Sequence, residues 1–331
     1  MEEQILNTIK KYNLIEPGDK VICGVSGGPD SICMLDNLIK IKETGKLRFE
    51  IIVCHVNHQI REEADSDEEY VINYCKKNNV KCYVKRIDVK KYADNKKQGI
   101  EEAGRTVRYE FFEETFKKEN ADKIATAHNK NDKIETIIMN ALRGTGISGL
   151  KGIEAKRCEK FIRPLIEVER KYIEEYCKQN CLEPRIDKTN FINDCTRNKI
   201  RNIALPYIKK EFNPNIINTL DRLSVVIFEE DEYMQKQTVK AFEKMKIEEE
   251  QGYIVLDLKK FNQEELVLKN RLILYVIQKA VGNIQNVEKV NIDDIIKLCS
   301  NNIGNKYLTP NKNIKITVNK GKIFFENVLQ I

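Results

Sequence analysis

The chain has 331 residues, a formal net charge of +6 and charged side chains at 33 % of positions. Such a length suggests two domains with substantial cores, and the mild basic excess is compatible with a nucleic-acid partner without demanding one. No apolar run approaches the roughly 20 residues that span a bilayer, and Met1-Glu2-Glu3 lacks the basic flank of a secretory leader. The ten cysteines are scattered and form no CxxC pair, so neither a zinc ribbon nor an iron–sulfur framework is suggested, and reduced thiols in a cytoplasmic protein are expected.

Residues 4–12 have the spacing of a short amphipathic helix, and the β-branched run 21–25 predicts a buried strand. Ser26-Gly27-Gly28-Pro29-Asp30-Ser31 breaks that strand, and 31–39 resumes with helical spacing. A strand, a glycine-rich turn and a helix start aim several free N–H groups at one spot, where an anion is stabilised. Gly27 and Gly28 let a phosphate approach the backbone, Ser26 and Ser31 add hydroxyls, and Asp30 is a candidate Mg²⁺ ligand. An ordinary tight turn would need a glycine but not the whole hexapeptide. The motif is neither the loop ending in Gly-Lys-Ser/Thr nor GxGxxG.

Further strands are predicted at 49–55, 80–87, 123–127 and 161–164, with helices at 66–77, 100–118, 133–142 and 168–179. Strands separated by helices predict a Rossmann-like parallel sheet with helices on both faces. The carboxyl ends of these strands deliver Ser26–Ser31, then His55-Val-Asn-His58, then His128 to Glu135. His55 and His58 lie at a strand end with no third ligand nearby, so a nucleotide pocket is favoured over a metal. Asp132 and Glu135 share a face at a helix start, where they suit Mg²⁺ or a substrate ammonium, or simply the helix dipole.

Beyond this, residues 195–210 carry Arg197, Lys199, Arg201, Lys209 and Lys210 without an acidic residue, a pattern for phosphate contact in RNA. Residues 213–249 read as a long helix with an apolar stripe, followed by helices at 262–281 and 290–299 and short strands at 306–309, 314–318 and 322–325. The expected organisation is a catalytic domain, 1–212, and a long helical linker with a small, mainly helical module ending in short strands, 213–331.

Several separated blocks converge on one family. SGGPDS (26–31), HVNHQIREEADSDEEYV (55–71), IEEAGRTVRYEFF (100–112) and ATAHNKNDKIETIIMNALRGTG (125–146) resemble the tRNA(Ile)-lysidine synthetases of the PP-loop ATP pyrophosphatase superfamily. So do RPLIEVERKYI (163–173) and DKTNFINDCTRNKIRNIALP (187–206). The resemblance implies a PP-loop ATPase fold and ligation of free lysine to C2 of the wobble cytidine of a CAU-anticodon isoleucine tRNA. ATP would be consumed through an adenylated base, with Mg²⁺, yielding AMP and pyrophosphate.

On the same resemblance, Asp30, Arg108, Asp132 and Glu135 are catalytic or bind lysine. Ser26, Gly27, Gly28, Pro29, Asp30, Ser31, His55 and His128 line the nucleotide, and a homodimer is expected. The family pattern His-His-x-Asp-Asp-Gln-x-Glu-Thr appears here with Asn129, Asn131 and Lys133 at its second, fourth and sixth positions. The chain also stops short of the further C-terminal domain that many relatives carry. A PP-loop tRNA thiolase is one alternative, although the missing CxxC argues against it. The other is a non-catalytic, nucleotide-dependent tRNA-binding protein, against which Asp30, Asp132 and Glu135 argue.

Overall fold

The computed structural model describes all residues except 61–62, 186–192, 194, 285, 302–305 and 329–331. The stretch Asp187–Asn190, part of one resemblance block, lies outside the described residues. The chain divides into two compact units, Met1–Val225 and Val226–Ile331.

In the first unit the order is α1 (Glu2–Lys11), β1 (Lys20–Gly24), α2 (Pro29–Glu43), β2 (Glu50–Asn57), α3 (Ala64–Lys77), β3 (Lys81–Arg86) and α4 (Val89–Lys96). It continues with α5 (Ile100–Glu119), β4 (Lys123–Ala125), α6 (Lys130–Leu142), α7 (Ile147–Leu150), β5 (Lys156–Arg157), β6 (Phe161–Ile162) and α8 (Arg170–Gln179). Then come α9 (Thr196–Lys199), a π-helical turn at Ile200–Ala204, α10 (Leu205–Glu211) and the start of α11 (Ile216–Met245).

The strands lie in the order β3-β2-β1-β4-β6-β5, all parallel except the edge strand β5. Alternation along each strand buries both sheet faces. Val21, Cys23, Val25, Ile51 and Val53 meet α1, α2, α3 and α8, whereas Ile22, Ile52 and Cys54 meet Phe111 and Phe112 of α5. Helices therefore cover both faces, as the spacing predicted.

Gly24 lies on the α5 face, and a Cβ there would overlap the Phe112 ring, so glycine lets that helix pack directly on β1. The chain turns from β1 outward to β2 on one side and places β4 on the other. The carboxyl ends of β1 and β4 thus frame the crevice where open α/β sheets bind ligands.

The unit boundary falls at Val225, later than residue 212, because the first turns of α11 belong to the first core. Ile217 is buried with Ile134 and Ile137 of α6 and with Ile200 and Leu205, and Lys133 Nζ donates to Asp221 Oδ1 at 2.8 Å.

The second unit holds the rest of α11, β7 (Lys246–Glu250), β8 (Tyr253–Asp257), α12 (Leu258–Gln263), α13 (Leu266–Val281), α14 (Lys289–Asn301), β9 (Tyr307–Asn311), β10 (Ile314–Asn319) and β11 (Lys322–Asn327). Its antiparallel sheet runs β7-β8-β11-β10-β9 and packs Ile254, Leu256, Ile316, Ile323 and Phe325 against α12–α14. The long helix ends at Met245 rather than 249. Gly252, at φ +79°, turns Lys246–Glu250 back along Tyr253-Ile-Val-Leu-Asp257, which β11 pairs on its other edge.

Candidate active site

The loop between β1 and α2 is tied into itself. Ser31 Oγ donates to the Gly28 carbonyl at 3.0 Å and accepts from the Ser26 amide at 3.2 Å. The Gly28 amide reaches Ser26 Oγ at 3.4 Å. Gly27 sits at φ +90°, a left-handed conformation that side chains resist, and its carbonyl accepts the Arg185 amide at 2.9 Å. Pro29 occupies the first turn of α2, where its missing N–H costs nothing. The result is a preorganised loop at a helix N-terminus, an arrangement that favours an anion.

Asp30 stands at the edge of this loop. Burial pushes its carboxyl up to about 6, Arg170 pulls it down, and nearby Asp132 raises it again. Its Oδ1 accepts from Asn129 Nδ2 at 2.8 Å. Asn129 also caps α6: its Oδ1 accepts the Asp132 amide at 3.0 Å while Asp132 Oδ2 accepts the Asn129 amide at 3.0 Å. One side chain therefore links the anion loop to the helix that carries Asp132 and Glu135. Asp30 Oδ2 makes no hydrogen bond among the described residues, so Asp30 fits an Mg²⁺ ion shared with nucleotide phosphates, the usual arrangement for that ion.

Asp132 and Glu135 face a cluster of three arginines. Arg201 Nε reaches Glu135 Oε1 at 2.6 Å, and its NH2 reaches Glu135 Oε2 at 2.8 Å and Asp132 Oδ1 at 3.1 Å. Arg197 Nε donates to Glu135 Oε2 at 3.1 Å, and Arg170 NH2 to Asp132 Oδ1 at 3.1 Å. Burial alone would lower the Arg201 guanidinium, but Glu135, Asp132 and Asp30 outweigh it and hold it above its ordinary value. The Glu135 side chain is only 1 % exposed. Removing one member of such a buried set typically costs about 3–5 kcal/mol, because its partners are left unpaired.

The sequence pattern assigned Arg197 and Arg201 to RNA phosphates, yet both turn inward, since buried carboxylates need cationic partners. Lys199 and Lys210 are exposed and Lys209 is half-buried.

Beyond β4, His128 is half-buried, and its Nδ1 lies 3.0 Å from Thr126 Oγ1. Burial drives the imidazole down to about 3, helped by Arg163, Arg197, Arg105 and Arg108 around it. It is neutral at pH 7. The Arg108 guanidinium remains open to solvent, but the crowded walls of the crevice, with Arg105 nearby, hold it below its ordinary value; it makes no ion pair among the described residues. Arg163 is 6 % exposed, donates to the Glu154 carbonyl, and leaves its Nε without a partner among the described residues.

His55 lies behind the loop instead of on its surface. It is buried, with Nδ1 at 2.9 Å from the Val25 carbonyl, where it braces the end of β1. Motif reading passed over Asn129, Arg170 and Arg163. The available signal for the first was an Asn between the end of a predicted strand and the start of a helix, where it can cap; the other two depend on tertiary packing.

The PP-loop domain family (ATP_bind_3) matches residues 1–208. A tRNA(Ile)-lysidine synthase of Clostridium tetani is 44 % identical over 329 residues, covering 98 % of this chain and 69 % of the relative. The corresponding synthase of Clostridioides difficile is 41 % identical, covering 98 % of this chain and 70 % of that one. This chain belongs to the tRNA(Ile)-lysidine synthase family. A further member, from Caldanaerobacter subterraneus subsp. tengcongensis, is 39 % identical across 100 % of this chain and 72 % of its own length.

Among solved structures, the U34-tRNA thiolase NcsA from Methanococcus maripaludis superposes with a TM-score of 0.56 at 18 % identity, covering 69 % of this chain and 78 % of its own; that likeness concerns the fold. For a lysidine synthase, the departures at 129, 131 and 133 are structurally absorbed. Asn129 bridges Asp30 and the α6 cap, Asn131 Oδ1 accepts the Arg170 amide at 3.0 Å at the start of α8, and Lys133 pairs with Asp221. No helix among the described residues is long and apolar enough to cross a membrane.

Proposed function

We propose that this chain ligates free lysine to C2 of the wobble cytidine in CAU-anticodon isoleucine tRNA, using ATP. The observation that carries the reading is the Asn129 link, which sets the loop carboxylate Asp30 beside the Asp132–Glu135 pair at one sheet edge. In the first step the cytidine C2 oxygen attacks the α-phosphate, the α–β bridging P–O bond breaks, and pyrophosphate leaves. The loop Ser26–Ser31 receives that pyrophosphate with fixed N–H and O–H donors, which stabilise developing charge without reorganisation. Mg²⁺, held by Asp30 and the phosphates, would supply further neutralisation of that charge.

In the second step the lysine ε-amine, once deprotonated, attacks C2. The C2–O bond breaks and AMP departs with the former base oxygen. Asp132 and Glu135 suit the lysine ammonium, which must share them with Arg197 and Arg201. Arg108, with no ion pair among the described residues, suits a carboxylate or phosphate. Neutral His128 offers the base a hydrogen-bonding partner that adds no charge to an arginine-rich wall. The exposed Lys199 and Lys210 and the half-buried Lys209 suit the role of phosphate contacts, and residues 213–331 that of a tRNA-binding module. The thiolase reading would use the same loop, and the absence of a CxxC pair from the sequence argues against it.

The test is incorporation of labelled lysine into a CAU-anticodon isoleucine tRNA transcript, with AMP and pyrophosphate measured in parallel. Lysine-dependent AMP formation, lost by at least about 100-fold in Asp30→Ala, supports the assignment, a loss in the range expected when a preorganised charge-stabilising group is removed. Pyrophosphate release that ignores lysine but needs a sulfur donor overturns it in favour of a thiolase. Tight tRNA binding with no turnover overturns it in favour of a binding protein.

A further inference from the structure

On the outer side of α5, where it meets β5 and β6, lies a groove of about 760 Å³ whose walls include Glu102, Arg105, Tyr109, Arg157 and Phe161. The rings of Tyr109 and Phe161 are 5.3 Å apart. Arg105 lies 4.8 Å over the Tyr109 ring, and Arg157 lies 4.8 Å over Phe161 and 5.8 Å over Tyr109. Phe161 is buried, 8 % exposed, and backs Tyr109 from the core, so the surface itself presents the half-buried Tyr109 ring and the two exposed, flat guanidiniums, a combination that can stack an unpaired nucleobase.

Charge supports an RNA occupant once internal pairs are removed. Of the carboxylates on the rim, Glu113 is paired with Lys160, Glu114 with Lys85 at 2.9 Å, and Glu110 accepts from the Tyr92 hydroxyl at 3.3 Å. Glu110 stays anionic beside that neutral hydroxyl, so Arg105, Arg157 and Lys117 stand against Glu102 and Glu110, none of the five having an ion pair among the described residues, which leaves the groove with a single net positive charge.

The groove lies close to the reaction site, since Arg105 of its wall is near enough to His128 to help hold that imidazole down. Arg105 and Tyr109 share a face of α5 at a spacing of four, and Arg108 on the same helix reaches the crevice. Phe161 and Arg163 are two apart on one strand line, hence on the same sheet face, with Arg163 one step nearer the carboxyl edge where His128 stands. Arg105 thus serves both ends: its charge acts on His128 and its guanidinium lies over Tyr109.

We infer that Arg105, Tyr109 and Arg157, backed by the buried Phe161, form a stacking platform for the nucleobase that flanks the target cytidine in the RNA substrate. The inference rests on the tRNA reading above and names a recognition element for it. Drawing one loop base to the sheet edge splays its neighbours from the stack, and an unstacked base needs a new apolar surface. The platform supplies it close to the reaction site.

The test uses the whole chain, the CAU-anticodon stem-loop, and two further stem-loops, each lacking one of the bases flanking the cytidine. The double variant R105Q/R157Q is expected to bind the full stem-loop at least about 10-fold more weakly, with an unchanged circular dichroism spectrum. One abasic stem-loop should bind the unaltered chain with a similar loss and be indifferent to the double variant. R105K/R157K, which keeps charge but not the flat faces, should fail to restore affinity.

Unchanged binding by R105Q/R157Q, independent losses from base removal and substitution, or full rescue by lysine would each overturn the platform. So would a change in sedimentation of the free chain without a change in stem-loop affinity, which would make the groove a contact between copies of this chain. Lysine incorporation by the unaltered chain is measured separately. If it is absent while the stacking signature persists, the ligase reading fails and the platform stands.

Discussion

At the scale of single residues, the site is governed by how few of its charges are left uncompensated. Asp132 and Glu135 hold three guanidiniums, and Arg163, Arg108 and Arg105 surround an imidazole that cannot accept a further positive charge. That last arrangement has a sign that can be checked. His128 titrates near 3 in the folded chain against 6.5 when exposed, so between those values the unfolded chain binds more protons and stability falls as pH falls. The loss amounts to about 1.4 kcal/mol per pH unit from one such group. Asp30 works the other way, since its raised carboxyl adds stability as pH drops from about 6 towards 3.8. Thermal denaturation from pH 7 to pH 4 should therefore show a shallower acid decline in His128→Gln and a steeper one in Asp30→Asn. Parallel curves for all three proteins would mean that neither group is held as described.

At the scale of elements, alternation and helical spacing were enough to place the five parallel strands, because the central strands are apolar runs buried on both faces and the edge strand β3, though half-buried and flanked by Lys81 and Arg86, keeps a Cys-Tyr-Val centre. The loop residues Ser26 to Ser31 were legible for the same reason: a hexapeptide breaks a strand and opens a helix in one local step. What was not legible is set by long-range packing. The two-residue strand β5 exists only as a partner for β6. The β7–β8 hairpin takes the end of a helical pattern because β11 arrives about 70 residues later in sequence to pair with Tyr253–Asp257. The inward turn of Arg197 and Arg201 has the same origin, since no local signal announces a carboxylate on another helix.

Gly24 is a case where a local residue answers to a distant one. Gly24→Ala should destabilise the first unit by roughly 1–3 kcal/mol, the usual cost of overpacking, because its methyl must displace the Phe112 ring. Thermal melting of that unit should fall by about 2–4 °C for each kcal/mol, and Phe112→Leu in the same chain should recover part of it. A neutral Gly24→Ala would show that α5 does not press on β1 as closely as described.

At the scale of the whole chain, the two units have separate cores, one around the parallel sheet and one around the antiparallel sheet, while α11 contributes to both. The sequence supported two domains through its change from strand–helix alternation to helices and short terminal strands. The boundary itself was hidden because the apolar stripe of α11 runs on unbroken from Ile216 past Val225. Separate cores predict separable unfolding, and the nucleotide provides the lever. Every residue proposed to hold ATP and Mg²⁺ belongs to the first unit, so at about 100 times its dissociation constant the nucleotide should stabilise that unit by about 2.7 kcal/mol. Phe325 is fully buried in the second core, and Phe325→Ala should cost that unit about 3–5 kcal/mol. Calorimetry of the whole chain should therefore resolve two transitions, one raised by ATP and indifferent to Phe325→Ala, the other lowered by the substitution and indifferent to ATP. A single transition that both perturbations move would mean that α11 couples the two cores into one cooperative unit, and the nucleotide would then also tighten the module assigned to hold the tRNA.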